Sequence, residues 1–173
     1  IVDSKSYCLG YGGPVMEAAA RAREGKSAPE ILAFLEDCFC RTEIYLGVYS
    51  LDFAKRSGRI GAATAFVGDV LGLRPVISMI DGSTKVVDRV RGERNLAPRI
   101  FSIYKEQLIK RDSRPLVVCG SEPEWGEQLA CLLKEELGAM PPVYRAGAAI
   151  TINAGPRMVA LVARGKTRPP HGV

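Results

Sequence analysis

Histidine is nearly missing from this chain of 173 residues. The single one, His171, stands in a Pro/Gly-rich tail. A nucleophile in the body of the chain therefore has no imidazole to serve as its base, and no G-x-S-x-G turn is present either. Cysteine gives no better opening to chemistry. The five residues Cys8, Cys38, Cys40, Cys119 and Cys131 are odd in number and contain no C-x-x-C pair. That pattern offers neither a Cys/His zinc site nor a disulfide framework, and it suits a reducing compartment. Cys38, Cys119 and Cys131 fall on apolar periodic positions and read as buried small hydrophobes.

Other absences narrow the field further. The acids do not form a D-x-D or E-x-x-H array for metals, and the phosphate loop G-x-x-x-x-G-K-[ST] does not occur. No cofactor is expected. No apolar run approaches the ~18 residues of a membrane helix, and no signal peptide is visible. The expectation is a cytoplasmic protein with no integral membrane segment. The chain opens on Ile1 rather than Met and reads as a fragment or a processed product.

What is present is enough for one domain with a true core. A chain of this size buries about 70% of its unfolded surface. The formal charge is +5, carried largely by "KRSGR", "DRVRGER", "KRDSR" and "RGKTRPP". These clusters do not alternate with aromatics, so no nucleic-acid stacking platform is expected.

The pattern alternates helices with strands. "IVDSKS" reads as a strand end running into a turn. "GPVMEAAARAREG" reads as a helix, with Pro14 in its first turn and Gly25 at its end. "GYGG", residues 10–13, lies before that helix and reads as a hinge or, more weakly, an anion site. "SAPEILAFLEDCFCR" carries a capping box of Ser27 and Glu30, with Ile31, Leu35, Cys38 and Phe39 on one face. "EIYLGVYS" is a strand, and "AATAFVGDVLG" is a helix of small residues. "RPVISMI" and "KVVDRVR" flank "DGST" as a hairpin centred on Asp81–Gly82. Asn95 caps "LAPRIFSIYKEQLIKR". "PLVVCG" is a buried strand, and Ser121 with Glu124 forms a second capping box on a helix ending at Gly138. "PVYRAG" and "MVALVAR" are the last strands. Residues 165–173 read as a disordered tail. The fold class is α/β, a mixed β-sheet with packed helices.

Two arginine–glycine turns stand out, "KRSGRIG" (residues 55–61) and "VRGERN" (residues 90–95). Each precedes a helix. Arginine offers a planar fork that matches carboxylate or phosphate oxygens. Gly58 and Gly61 would let the backbone of the first turn come close to a ligand. Arg59 and Arg91 are thus candidates for an anion site. The residues alone leave this reading level with a plain surface salt bridge.

The stretches "IVDSKS", "GRIGAATAFVGDVLGLRPVISMIDG", "VRGERNLAPRIFSIYKEQL" and "GAAITINAGP", in this order, resemble the C-terminal part of the DegV family, bacterial fatty-acid-binding proteins. The resemblance runs from Ile1 to about Ala163. It implies a DegV-like C-terminal lobe over residues 27–164, with residues 1–26 joining it to a missing N-terminal lobe. It further implies one long-chain fatty acid in a tunnel, its carboxylate presented to a separate fatty acid kinase catalytic subunit for acyl-phosphate formation. The chain itself would not be an enzyme. Arg59 and Arg91 match arginines near the carboxylate end, concerned with partner docking or phosphate handling. Asn153 stands where the family usually has a histidine before Gly-Pro, and an asparagine cannot become cationic. The family's carboxylate-gripping hydroxyls lie mainly in the other lobe. Ser4 and Ser6 sit near the join and are equally suited to capping its turn. Apolar candidates for the tunnel wall are Phe53, Ala63, Phe66, Val67, Leu71 and Ile77. The competing readings are a binding protein or enzyme for a small phosphorylated anion, built on the same turns, and a basic interaction domain. A long apolar tunnel favours the lipid reading, a small polar pocket the second and a flat basic face the third.

Overall fold

The computed structural model describes residues 1–59, 72–80, 82–107 and 113–165. The proposed helix "AATAFVGDVLG", the hairpin residue Asp81 and the tail 166–173 fall outside these, apart from Gly72. The elements run α1 (Leu9–Arg23), α2 (Ala28–Arg41), β1 (Thr42–Val48), α3 (Asp52–Arg56), β2 (Leu73–Ile80), β3 (Ser83–Arg91), a 3-10 turn (Glu93–Asn95), α4 (Leu96–Gln107), β4 (Leu116–Cys119), α5 (Pro123–Leu137), β5 (Val143–Arg145), α6 (Ala148–Ala154) and β6 (Met158–Arg164).

Among the described residues the strands form one mixed sheet, ordered β3-β2-β1-β6-β4-β5. Only the β4–β5 pair in it is parallel. The central strands β1 and β6 are buried almost throughout, which is why both read as continuous apolar runs. Alternate side chains go to two cores. Tyr45, Val76, Val117, Val159 and Leu161 pack with α4 and α5 on one face, through Leu96, Ile100, Tyr104, Trp125, Leu129 and Leu133. Ile44, Leu46, Val48, Ile77, Ala160 and Val162 face the other way, toward Tyr7, Leu51, Ala54, Ile150 and Ala154.

The hairpin lies where the sequence puts it. Ile80 pairs with Ser83, and Gly82 has φ +73. Further along, the register shifts between Val76 and Ile77: Ile77 pairs with Val86 but Val76 with Asp88. One extra residue in β3 thus reverses which face its later side chains meet. Val86 packs with the Ile77 core, whereas Val90 packs with the core under α4, and Asp88 meets Arg99 of α4.

Several local expectations hold and others are corrected. The Ser27–Glu30 capping box is complete. Its exchange of hydrogen bonds, with the backbone bond to Ser27 foremost, lowers the Glu30 carboxyl to about 2. Residues 1–6 form no strand. Asp3 accepts from Lys5 N at 2.9 Å and Ser4 Oγ from Ser6 N at 3.3 Å, so side-chain turns take over the backbone there. Helix α1 starts at Leu9, so "GYGG" is neither hinge nor anion loop, and Pro14 lies inside the helix. Gly10 is needed for space: a Cβ there would meet Ser6 Oγ at 2.2 Å and Ile44 Cδ1 at 2.7 Å. No capping box opens α5. Glu122 is its N-cap without a side-chain cap bond, because Ser121 N is engaged by Pro156 O at 2.7 Å. Asn95 sits in the 3-10 turn and its Nδ2 donates back to Arg91 O at 2.6 Å. Cys131 is exposed, whereas Cys38 and Cys119 are buried. Gly165 is buried and bonded to Arg41 O rather than part of a loose tail.

Two buried hydroxyls fasten the α4 side of the core. Tyr104 and Ser113 are fully buried and share a 2.7 Å hydrogen bond, and Ser113 O accepts from Arg164 N. Replacing Tyr104 by Phe keeps the ring and removes that bond. It is expected to lower stability by about 1–2 kcal/mol, measurable as a shift of the urea midpoint at constant slope.

Candidate functional site

Helix α3 sets the geometry of the first arginine–glycine turn. Its last turn closes with Gly58 N on Lys55 O at 3.1 Å and Arg59 N on Ala54 O at 2.9 Å. That double closure requires a left-handed residue after the cap, and Gly58 supplies it with φ +70. A Cβ at Gly58 would meet nothing within 4 Å. Within the protein itself the glycine is required for its backbone conformation rather than for space. The consequence is that Arg59 leaves the helix end at a fixed angle, its Nη1 donating to Ser57 O at 2.7 Å.

Helix α6, unassigned in the sequence reading, supplies the opposite wall. Ala149, Ile150, Asn153 and Ala154 share one of its faces, and Asn153 Nδ2 donates to Ala149 O at 2.9 Å. Phe53 of α3 lies over Gly155, where a Cβ would come within 2.8 Å of its ring. Phe53 therefore packs α3 against the end of α6 and is not among the described cavity-lining residues.

Between these helices and the sheet is a cavity of about 240 Å³. Its apolar walls come from Leu46, Val48, Ala54, Ile77, Met79, Ala149, Ile150 and Ala154, and its polar groups from Tyr7, Ser50, Arg59, Thr84 and Asn153. Among these described lining residues Arg59 carries the only formal charge, and no carboxylate or thiol faces the space. Burial holds the Tyr7 phenol protonated far above its ordinary range, and Cys8 adds a smaller push in the same direction. Such a space suits an apolar chain ending in an anionic group. Among the described lining residues no base stands beside a nucleophile.

The structure thus brings Arg59, Asn153 and Ile77 together on one cavity. Arg91 is not on its described wall. It is exposed, opposite Leu73 at the far end of the hairpin from Thr84, and its carbonyl holds Asn95. Gly61, Ala63, Phe66, Val67 and Leu71 lie outside the described residues. The sequence reading passed over Tyr7, Leu46, Val48, Ser50, Ala54, Met79, Thr84 and, Asn153 apart, the α6 face. Strand alternation through 46, 48 and 50, and the helical spacing of 149, 150, 153 and 154, were the signals that could have found the β1 and α6 residues among them.

A model of the family described as "Uncharacterised protein, DegV family" matches residues 1–166. A DegV domain-containing protein of Clostridium perfringens is 29% identical over 163 residues, covering 93% of this chain and 57% of that protein. Among solved structures, a DegV family protein of Thermus thermophilus described for its fatty acid binding superimposes with a TM-score of 0.78 at 28% identity. That match covers 95% of this chain and 60% of the other. A fatty acid binding DegV family protein of Streptococcus agalactiae gives a TM-score of 0.84 at 25% identity, covering 96% of this chain and 59% of the other. The chain therefore spans somewhat less than two thirds of the length of these relatives.

Proposed function

The chain belongs to the DegV family, and from that premise we propose that it forms part of a long-chain fatty-acid-binding protein. The observation that carries this reading is the apolar cavity with Arg59 and Asn153 in its wall. The acyl chain lies along Leu46, Val48 and Ile77, and the carboxylate is directed toward Arg59. Among the described residues no helix is long and apolar enough to cross a membrane. On this reading the protein works in the cytoplasm as a carrier and needs a separate kinase subunit to phosphorylate the bound acid. Arg91, exposed and off the described cavity wall, contacts that partner rather than the lipid. Residues 27–164 carry the site apart from Tyr7, and residues 1–26 join it to the remainder of a two-lobed protein.

Native mass spectrometry of the protein purified from bacteria tests the lipid reading, the expected result being a discrete added mass equal to one fatty acid. Affinity should also climb with chain length, because each buried methylene contributes ~0.8 kcal/mol, about fourfold per carbon. Titration with saturated acids from C10 to C16 measures this. Affinities that do not change across the series would instead indicate a site for the head group alone.

A further inference from the structure

On the other face of the sheet a second constellation has no part in the cavity. Tyr49, just past β1, has the guanidinium carbon of Arg74 3.9 Å from its ring centroid and that of Arg157 4.0 Å from it. Two groups so close over one ring cannot share a face, so the phenol is sandwiched between two cations. The elements that hold them converge at one end of the sheet. Tyr49 N donates to Arg157 O, and Arg74 begins β2 beside them. The N-terminal ends of α4 and α5 arrive at the same place, because Glu93, at the turn into α4, and Glu122, the N-cap of α5, both reach Arg157, at 2.8 and 3.2 Å. Each helix start adds partial positive charge.

Two guanidiniums and two carboxylates make this locus formally neutral, but the pairing is uneven. Both nearby carboxylates are committed to Arg157. Arg74 has no carboxylate partner among the described residues. Its Nη1 reaches only Leu73 O, at 3.4 Å, and its Nε is shut off from solvent with no hydrogen-bond partner. A guanidinium that gives up hydration without an ion pair is costly. Stacking on Tyr49 offsets part of that cost and fixes the plane of the fork. Tyr49 and Arg157 themselves remain about one third exposed, so the locus is open to a solute.

We propose that Arg74, with Tyr49 and Arg157, forms a second binding site, for a phosphate-class oxyanion, on the face of the sheet opposite the acyl cavity. The fork of Arg74 takes two oxygens of the anion and the phenol hydroxyl of Tyr49 a third. Arg157, held by Glu93 and Glu122, stacks on the ring and fixes Tyr49 in place. The site is independent of the fatty-acid reading, since none of the three residues lines the cavity.

The test is a calorimetric titration of the full chain with inorganic phosphate and, separately, with a simple alkyl phosphate monoester, at matched ionic strength. Saturable millimolar or tighter binding is expected, weakened at least tenfold in Arg74→Gln. Arg74→Lys should recover part of it, because an ammonium keeps the charge and loses the fork. Tighter binding of the monoester would identify an esterified phosphate as the ligand, and equal binding the free anion. Fatty-acid affinity should be unchanged in Arg74→Gln, and phosphate affinity unchanged in Arg59→Gln. Absence of saturable phosphate binding in the wild type, or wild-type phosphate affinity in a folded Arg74→Gln or Arg74→Lys protein, would overturn the proposal and leave the stack a purely structural contact.

Discussion

Replacing Gly120 by Ala is expected to cost about 3 kcal/mol or more, at or beyond the upper end of what overpacking does in a core. A Cβ at this position would lie 1.8 Å from Pro156 O and 2.9 Å from Pro156 C. Both are main-chain atoms, so no side-chain rotation relieves the clash. The two segments cannot simply part, because Gly120 N donates to Met158 O and Ser121 N to Pro156 O. Those bonds fasten the end of β4 to the entry of β6, one of the two central strands. At roughly 2–4 °C per kcal/mol for a chain of this size, the melting temperature should fall by roughly 6–12 °C or more. Gly58→Ala is the control. Its glycine is left-handed, which Gly120 is not, and has open space around it, so only backbone strain of about 1–2 kcal/mol applies. Thermal unfolding of both variants checks the pair. Equal losses would mean that the close approach of the two segments adds nothing beyond ordinary strain at Gly120.

The second large effect is on binding. Arg59→Ala should weaken fatty-acid affinity by about ten- to a hundredfold, the ~1.5–3 kcal/mol of a charge-assisted hydrogen bond. The fold should be intact, since Arg59 is exposed and the side-chain contact seen is with its neighbour's carbonyl, Ser57 O. The comparison that isolates the head group is an alcohol of the same chain length. Its affinity should hardly differ between wild type and Arg59→Ala, because it has no charge to lose. Arg59→Lys should recover part of the acid's affinity. Arg91→Ala should leave lipid affinity alone, and the double variant should match Arg59→Ala, as expected for residues that do not share a ligand. An Arg59→Ala protein that binds acid and alcohol as the wild type does would return the turn to a plain connector.

Much of the fold is legible because the deciding signals are local. Ser27 and Glu30 announce α2, Asp81–Gly82 announces the hairpin, and Gly138 closes α5 in the left-handed conformation its position suggests. The failures have a common cause, which is long-range contact overriding a local motif. Ser121 has a capping-box partner three residues on, yet its backbone is already engaged by Pro156, from the far side of a strand crossover. "GYGG" has the composition of a loop, but Gly10 is helical because Ile44 and Ser6 leave room for nothing larger. Helix α6 escaped because "AAITINA" is short and contains two isoleucines and a threonine, residues that favour strands. The site was legible only in part for the same reason. Arg59 sits in a recognisable turn. Tyr7, Thr84 and Ile150 become neighbours of it only when three separate elements meet at one cavity.

The extra residue in β3 has a bearing on how this protein can vary. Thr84 and Val86, before the shift, turn toward the side of the sheet that holds the cavity, and Asp88 and Val90, beyond it, turn toward α4. One strand therefore serves two layers, and Val87, exposed at the transition, is the spacer that allows it. A surface residue with few contacts is ordinarily the place where a chain tolerates gaining or losing a position. Removing Val87 would leave Val86 next to Asp88, each still on the face it meets now, whereas removing a paired residue such as Lys85 or Arg89 would turn the side chains beyond it to the wrong face. The strand can therefore lose position 87 and still serve both layers, while the number of its paired positions is fixed.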